Sequence, residues 1–140
     1  MVCSKVNLIS VPRHMWWIDS GVTTHISVSM QGCLNYWKPN NGERYIYVGD
    51  DKKVEIETIG KFRLLLKTLF YLDLDETFIV PSFRQKLISI FVLDKAGYSC
   101  SFGSGKVCLF HDSKLVGSSS LSGDDNLYLM DTIASFNESL

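Results

Sequence analysis

An aspartate, a serine and a glycine follow an apolar segment near the start of the chain. Asp19, Ser20 and Gly21 come directly after residues 15–18, which read Met-Trp-Trp-Ile. A carboxylate at the end of a buried strand can activate water if a second carboxylate shares its proton, because one then accepts a proton while the other polarises a carbonyl. Gly21 has no Cβ to keep its backbone N–H away from that carboxylate, and the Ser20 hydroxyl can donate to neighbouring backbone. These residues fit the chemistry of an aspartic protease, although a turn in which Asp19 caps backbone amides contains the same residue types.

The sequence contains this motif once. The other Asp-Ser and Asp-Thr pairs, at residues 112–113 and 131–132, are not followed by glycine. A single chain therefore supplies one carboxylate, and the paired chemistry requires a two-fold dimer with the site on its axis. The length of 140 residues suits one lobe of such an enzyme.

Other catalytic, phosphate-binding and metal-binding patterns are missing from the sequence. It has neither the glycine pattern of a P-loop nor that of a nucleophile-elbow hydrolase. His14, His25 and His111 lie far apart, and the four cysteines form no C-x-x-C pair. We therefore expect no metal and no cofactor.

The composition is typical of one globular domain. Hydrophobic residues make up 46% of the 140 residues and charged residues 21%. The formal net charge of -1 argues against direct nucleic-acid binding, since such domains usually carry a basic excess. We expect no membrane contact because no run of about 18 apolar residues is present. The lack of a signal-peptide pattern at the N-terminus predicts a cytoplasmic protein.

Short strand patterns separated by turn residues dominate the chain. Residues 44–48 and 53–57 flank a Gly-Asp-Asp turn and predict a hairpin. The acidic run at 73–76 predicts a solvated turn between strands at 70–72 and 77–80. Strands this short and frequent predict an all-β fold, a closed barrel or a sandwich.

Two segments fit short helices. Residues 87–93 fit either a helix or a buried strand, because periodicity does not separate the two in a short apolar run. Residues 27–34 fit one helical turn. We therefore predict one or two short helices beside the strands.

Four segments together resemble the protease region of copia-type retrotransposon polyproteins. They are residues 16–26 (WWIDSGVTTHI), 47–52 (YVGDDK), 78–90 (FIVPSFRQKLISI) and 126–131 (NLYLMD), in the order and spacing of the family. The resemblance implies a retropepsin-like closed β-barrel over residues 12–131. We expect a linker at residues 1–11, and at 132–140 a tail leading to a pre-integrase segment.

The resemblance implies a homodimeric aspartic endopeptidase that cuts its own polyprotein, in the cytoplasm or within virus-like particles. Its partners would be a second copy and peptide segments of that polyprotein. Asp19 would be the catalytic carboxylate, with Ser20 and Gly21 completing the catalytic loop. Residues 87–89 stand where retropepsins have two apolar residues and a glycine that pack under this loop. The candidate flap over the substrate is formed by Gly49, Asp50 and Asp51.

The sequence departs from the copia-type pattern at three positions. Val22 stands where alanine is usual, Lys86 replaces asparagine, and Asp51 replaces glycine or asparagine. Ser89 replaces a glycine of the wider retropepsin pattern, a replacement that is common in copia-type sequences. Such drift fits a decayed genomic copy, so the alternative is a catalytically inactive β-barrel remnant or scaffold module. That alternative predicts a monomer in which the carboxylate of the motif is singly exposed or tied to backbone amides.

Overall fold

One mixed sheet of eleven strands and a separate two-stranded hairpin form the fold. The computed structural model describes residues 15–43, 45–48, 52–121 and 128–135. The strands are β1 (Trp16–Asp19), β2 (His25–Ser27), β3 (Cys33–Trp37), β4 (Tyr45–Val48), β5 (Lys52–Glu55), β6 (Thr58–Leu66), β7 (Tyr71–Ile79), β8 (Lys86–Ser89), β9 (Tyr98–Gly103), β10 (Lys106–His111), β11 (Lys114–Leu121), β12 (Tyr128–Met130) and β13 (Thr132–Ser135). A 3-10 helix spans Asn41–Glu43, and the helix α1 spans Ile90–Lys95. The prediction of an all-β fold with a short helix is confirmed.

The sheet runs in the order β13-β6-β7-β2-β8-β1-β12-β11-β10-β9, and β3 pairs with β6. At its centre β8 lies between β1 and β2. It runs parallel to β1, with Asp19 opposite Ser89, and antiparallel to β2, with Ile26 opposite Leu87. All of β8 is buried, as expected for a strand covered on both faces. The loop between β1 and β2 is therefore held at one end of β8.

Residues 87–93 contain both a strand and a helix. The strand β8 ends at Ser89, and α1 begins at the next residue. Ser89 is the N-cap of α1, and its hydroxyl accepts a hydrogen bond from the backbone N–H of Val92 at 3.2 Å. The chain thus changes from strand to helix at a residue type that favours this change. The helical turn predicted at 27–34 is wrong, because no residue of this segment is helical. The strand β2 ends at Ser27, and bends and a turn, in which the Cys33 N–H donates to the Met30 carbonyl oxygen at 2.9 Å, lead to β3.

The hairpin predicted around the Gly-Asp-Asp turn is confirmed by the antiparallel pairing of β4 and β5, with Ile46 opposite Val54. The turn itself, Gly49, Asp50 and Asp51, lies outside the described residues. The acidic run at 73–76 was expected to be a turn, and this prediction is wrong. These residues lie within the continuous strand β7.

Basic side chains on the neighbouring strand explain the acidic residues in β7. Asp73 lies opposite Arg63 of β6, and the Arg63 Nε is 2.6 Å from the Asp73 Oδ1. Lys61 lies 3.8 Å from Asp73 and 3.7 Å from Asp75. Cross-strand pairs of opposite charge stabilise a sheet, so the run does not need a solvated turn.

Buried apolar side chains form two clusters. The principal cluster contains Trp16, Ile18, Phe62, Leu64, Leu66, Leu72, Leu74, Ile79, Ile88, Leu93, Val107, Leu109, Val116 and Met130. The second cluster contains Trp17, Ile26, Ile56, Ile59, Val80 and Leu87, and Val22, Ile46 and Val54 are packed against it. Neighbouring residues of a strand point to opposite faces, so the two tryptophans of β1 enter different clusters. The second cluster joins the loop after β1 to the β4–β5 hairpin.

Gly60 permits a close approach between β6 and β3. A Cβ at this position would lie 2.6 Å from the Cys33 Sγ and 3.2 Å from the Asn35 carbonyl oxygen. We expect Gly60→Ala to lower the free energy of unfolding by about 1–3 kcal/mol, because the added methyl forces the strands apart. Urea unfolding measures the change. The control is Gly103→Ala, where the Cβ would meet nothing within 4 Å. Equal losses in the two variants would contradict the prediction.

Candidate functional site

The Asp-Ser-Gly motif forms an exposed turn at the end of β1. Asp19 is half-buried, whereas Ser20 and Gly21 are exposed. The Asp19 Oδ1 accepts a hydrogen bond of 2.6 Å from the backbone N–H of Gly21. A Cβ on Gly21 would lie 3.1 Å from that oxygen, a tight contact. Because Gly21 has no Cβ, its backbone N–H can approach the Asp19 carboxylate, as the sequence predicts.

The loop is held by a serine that the sequence motif does not include. Within the described part of the chain, the Ser20 hydroxyl makes no hydrogen bond. Ser89 instead donates from its Oγ to the Val22 carbonyl oxygen at 2.7 Å. The family resemblance implies that residues 87–89 pack under the loop, but it does not identify this hydroxyl. A serine at the end of the buried strand β8 is the signal that points to it.

Besides Ser89, the structure places His25 next to the loop, a position that the sequence motif does not indicate. It is buried at the start of β2, and its Nδ1 accepts a hydrogen bond from the backbone N–H of Ser89 at 2.9 Å. Because Nδ1 is an acceptor, the proton of the neutral imidazole is assigned to Nε2. Burial disfavours the charged form and lowers the pKa of His25 to about 4. His25 is thus a neutral structural group near neutral pH.

A cleft of about 580 Å³ opens beside the Asp19 carboxylate. The loop forms one side, and Ile26 and Leu87 of the central strands contribute apolar surface. Ile46 and Tyr47 of β4 and Phe83, which follows β7, complete the lining. Among the described residues that line the cleft, Asp19 is the one acidic residue. The cleft therefore combines the Asp19 carboxylate and the threonines of the loop with apolar side chains of the strands.

A larger cavity of about 1020 Å³ lies along β5. Residues 52–57 line it together with residues 38–39 and 81–83. Phe83 is common to both cavities, but Asp19 does not line the larger one. The smaller cleft is the candidate active site, because it is the one of the two that Asp19 and Gly21 line.

No group of three or more His, Cys, Asp or Glu residues in the described ranges is arranged to hold a metal ion. Among the described residues, no helix is long and apolar enough to cross a membrane.

The neutral His25 makes the stability of the fold depend on pH. The unfolded imidazole takes up a proton near pH 6.5, but the folded one does so only near about 4. The unfolded state therefore binds more protons in this interval, and stability falls as the pH is lowered through it. We expect a loss of about 3 kcal/mol between these two values, measured by urea unfolding at a series of pH values.

His25→Gln tests the assignment, because an amide oxygen still accepts a hydrogen bond but does not titrate. This variant should lose most of the slope, and the control His111→Gln should keep it. The Arg63 guanidinium holds the pKa of Asp73 below its ordinary value of 3.8, so that ion pair is lost only at lower pH. A wild-type slope in His25→Gln would contradict the prediction.

Comparison with known proteins agrees with this architecture. The family model described as "Pol polyprotein, beta-barrel domain" matches residues 16–98, which is more than half of the chain. The match includes β1, the Asp-Ser-Gly turn, both arms of the β4–β5 hairpin and α1. No curated protein and no solved structure matches the chain. The chain belongs to the family of Pol polyprotein β-barrel domains.

Proposed function

We propose that this domain is an aspartic endopeptidase of a copia-type retrotransposon, which works as a retropepsin-like homodimer and cuts its own polyprotein. The observation that carries the proposal is the position of Asp19. Its carboxylate stands at the end of a buried strand, accepts the Gly21 N–H at 2.6 Å and lines a cleft with apolar walls. The family supports a Pol polyprotein context for a protein that would process that polyprotein.

The chemistry requires two copies of Asp19 that face each other across a two-fold axis. Two carboxylates this close share one proton, because both do not ionise side by side. The ionised carboxylate takes a proton from a bound water, whose oxygen attacks the scissile carbonyl carbon. The protonated carboxylate donates a hydrogen bond to the carbonyl oxygen and stabilises the tetrahedral intermediate. Transfer of a proton to the amide nitrogen then releases the amine.

The apolar part of the cleft suits an extended peptide with apolar side chains beside the scissile bond. Ile46, Phe83 and Leu87 would contact such a side chain. Ile46 and Tyr47 belong to β4, so an arm of the hairpin already contributes to the cleft. This supports the hairpin as the cover of the substrate, with Gly49, Asp50 and Asp51 as its tip. The substrate would be segments of the polyprotein itself, in the cytoplasm or in virus-like particles.

A second candidate function is a non-catalytic β-barrel module. The observation that favours it is the same 2.6 Å hydrogen bond, because an ordinary aspartate turn also ties its carboxylate to a backbone N–H two residues on. This candidate requires no second copy. It therefore differs from the protease in oligomeric state and in the response to changes at Asp19.

Asp19→Asn should abolish peptide hydrolysis, because an amide neither accepts the proton of water nor shares one. We expect a fall in kcat of about 10²–10⁴-fold, measured at mildly acidic pH with a fluorogenic peptide library that carries apolar residues at the scissile bond. Pepstatin, a hydroxyl-containing transition-state inhibitor, should block the wild-type activity. The control is Asp112→Asn, which changes an exposed aspartate at positive φ, where asparagine is well tolerated. Equal activity in wild type and Asp19→Asn would refute the proposal.

Mixing experiments test the dimer. An excess of the Asp19→Asn chain should suppress wild-type activity, because mixed dimers hold a single functional carboxylate. At about a ninefold excess, roughly a tenth of the activity should remain, since pairing is random. Asp112→Asn added in the same excess should cause no suppression. Sedimentation should show a dimer at the concentrations where activity is found, and full activity in a strict monomer would exclude the shared-proton mechanism.

A further inference from the structure

Ser89 contacts the loop between β1 and β2 at both of its ends and in its middle. Its Cα lies opposite Asp19 in the parallel register of β1 and β8. Its hydroxyl donates to the Val22 carbonyl oxygen at 2.7 Å, and its backbone N–H donates to the His25 Nδ1 at 2.9 Å. The side chain is completely buried. One residue therefore touches the carboxylate strand, the loop and the strand that leaves it.

The direction of the Ser89 hydroxyl is fixed because both of its hydrogen-bonding functions are used. It donates its proton to the Val22 carbonyl and accepts the Val92 N–H at the N-terminus of α1 at 3.2 Å. A hydroxyl with one donor and one acceptor bond in place has little rotational freedom. The loop and the helix are thus joined through a single oxygen atom.

Ser89 lies outside the Asp-Ser-Gly triplet. The wider retropepsin pattern has a glycine at this position, which has no hydroxyl to offer, whereas a serine is common here in the copia-type sequences that this chain resembles. Val22 stands where alanine is usual in those sequences, and its side chain packs against the second cluster. The Ser89 hydroxyl donates its hydrogen bond to the carbonyl oxygen of this same Val22. The backbone of Val22 is therefore fixed by the Ser89 hydroxyl, and its side chain by the second cluster.

We propose that Ser89 is a positioning residue, which holds the loop so that the Asp19 carboxylate keeps its bond to the Gly21 N–H and faces the cleft. The proposal rests on the proposed protease function. Ser89 acts through Val22 and does not line the cleft. Its removal should therefore disturb the chemical step more than the binding of a peptide.

Three variants separate positioning from general stability. Ser89→Ala removes the hydroxyl, and Ser89→Thr keeps it. Val107→Ala is the stability control, because Val107 is buried in the principal cluster on β10, on a different part of the sheet from the loop. The assay uses one peptide of the library that the wild type cleaves, at a temperature where unfolding curves show every variant to be folded.

We expect Ser89→Ala to lower kcat about 10- to 100-fold while KM changes less than about twofold, since a small displacement of a reacting group is costly. Ser89→Thr should restore most of kcat, and Val107→Ala should leave it close to that of the wild type. Equal falls in kcat for Ser89→Ala and Val107→Ala would overturn the proposal. An unchanged kcat in Ser89→Ala would do the same.

A second measurement needs no activity. The Gly21 amide proton, which is bound to a carboxylate, should resonate downfield in the NMR spectrum of the wild type. Ser89→Ala should move this signal upfield and speed its exchange with solvent, whereas Val107→Ala and Ser89→Thr should not. An unmoved signal in Ser89→Ala overturns the positioning role. If wild type and Asp19→Asn are equally inactive, the protease proposal fails, while the amide signal still decides whether Ser89 positions the loop.

Discussion

The parallel pairing of β1 with β8 is the constraint on which the rest of the site depends. A carboxylate needs water or hydrogen-bond donors, yet β1 is buried along its whole length up to Asp19. The buried strand ends at Asp19, so the carboxylate reaches the surface. The turn that follows contains Gly21, whose backbone N–H donates a hydrogen bond to this carboxylate. The register with β8 then decides where that turn lies, because it places Asp19 level with Ser89.

The second cluster connects the parts of the cleft that are distant in sequence. Trp17 and Leu87 belong to it, and Val22 from the loop and Ile46 from the hairpin pack against it. The hairpin pairs with no other strand among the described residues, so these apolar contacts carry much of its attachment. A sheet of two strands is marginal by itself, and packing on a core gives it a defined position. The loop and the hairpin therefore pack against the same apolar cluster.

Local patterns were sufficient for the all-β fold, the β4–β5 hairpin and the glycine turn after β1. Each of these depends on residues that are neighbours in sequence, such as the alternation around Val54 and the Asp-Ser-Gly triplet. Features that depend on distant partners do not follow from local patterns. The acidic part of β7 resembles a turn in sequence, because its partner Arg63 lies ten residues away on another strand. The hydrogen bond between Ser89 and His25 joins residues 64 positions apart, and no spacing rule predicts it.

The buried imidazole of His25 has a consequence for the conditions in which this domain can work. A pair of carboxylates that shares one proton needs a medium acidic enough to supply it. The fold, in contrast, requires a medium that is not too acidic. Protonation of the His25 imidazole at the start of β2 favours the unfolded chain. The proposed enzyme would therefore be active only within a limited pH range. Its upper limit would be set by the proton that the two carboxylates share, and its lower limit by the stability of the fold. Acidification towards pH 4 would therefore weaken the fold that holds the carboxylate in place.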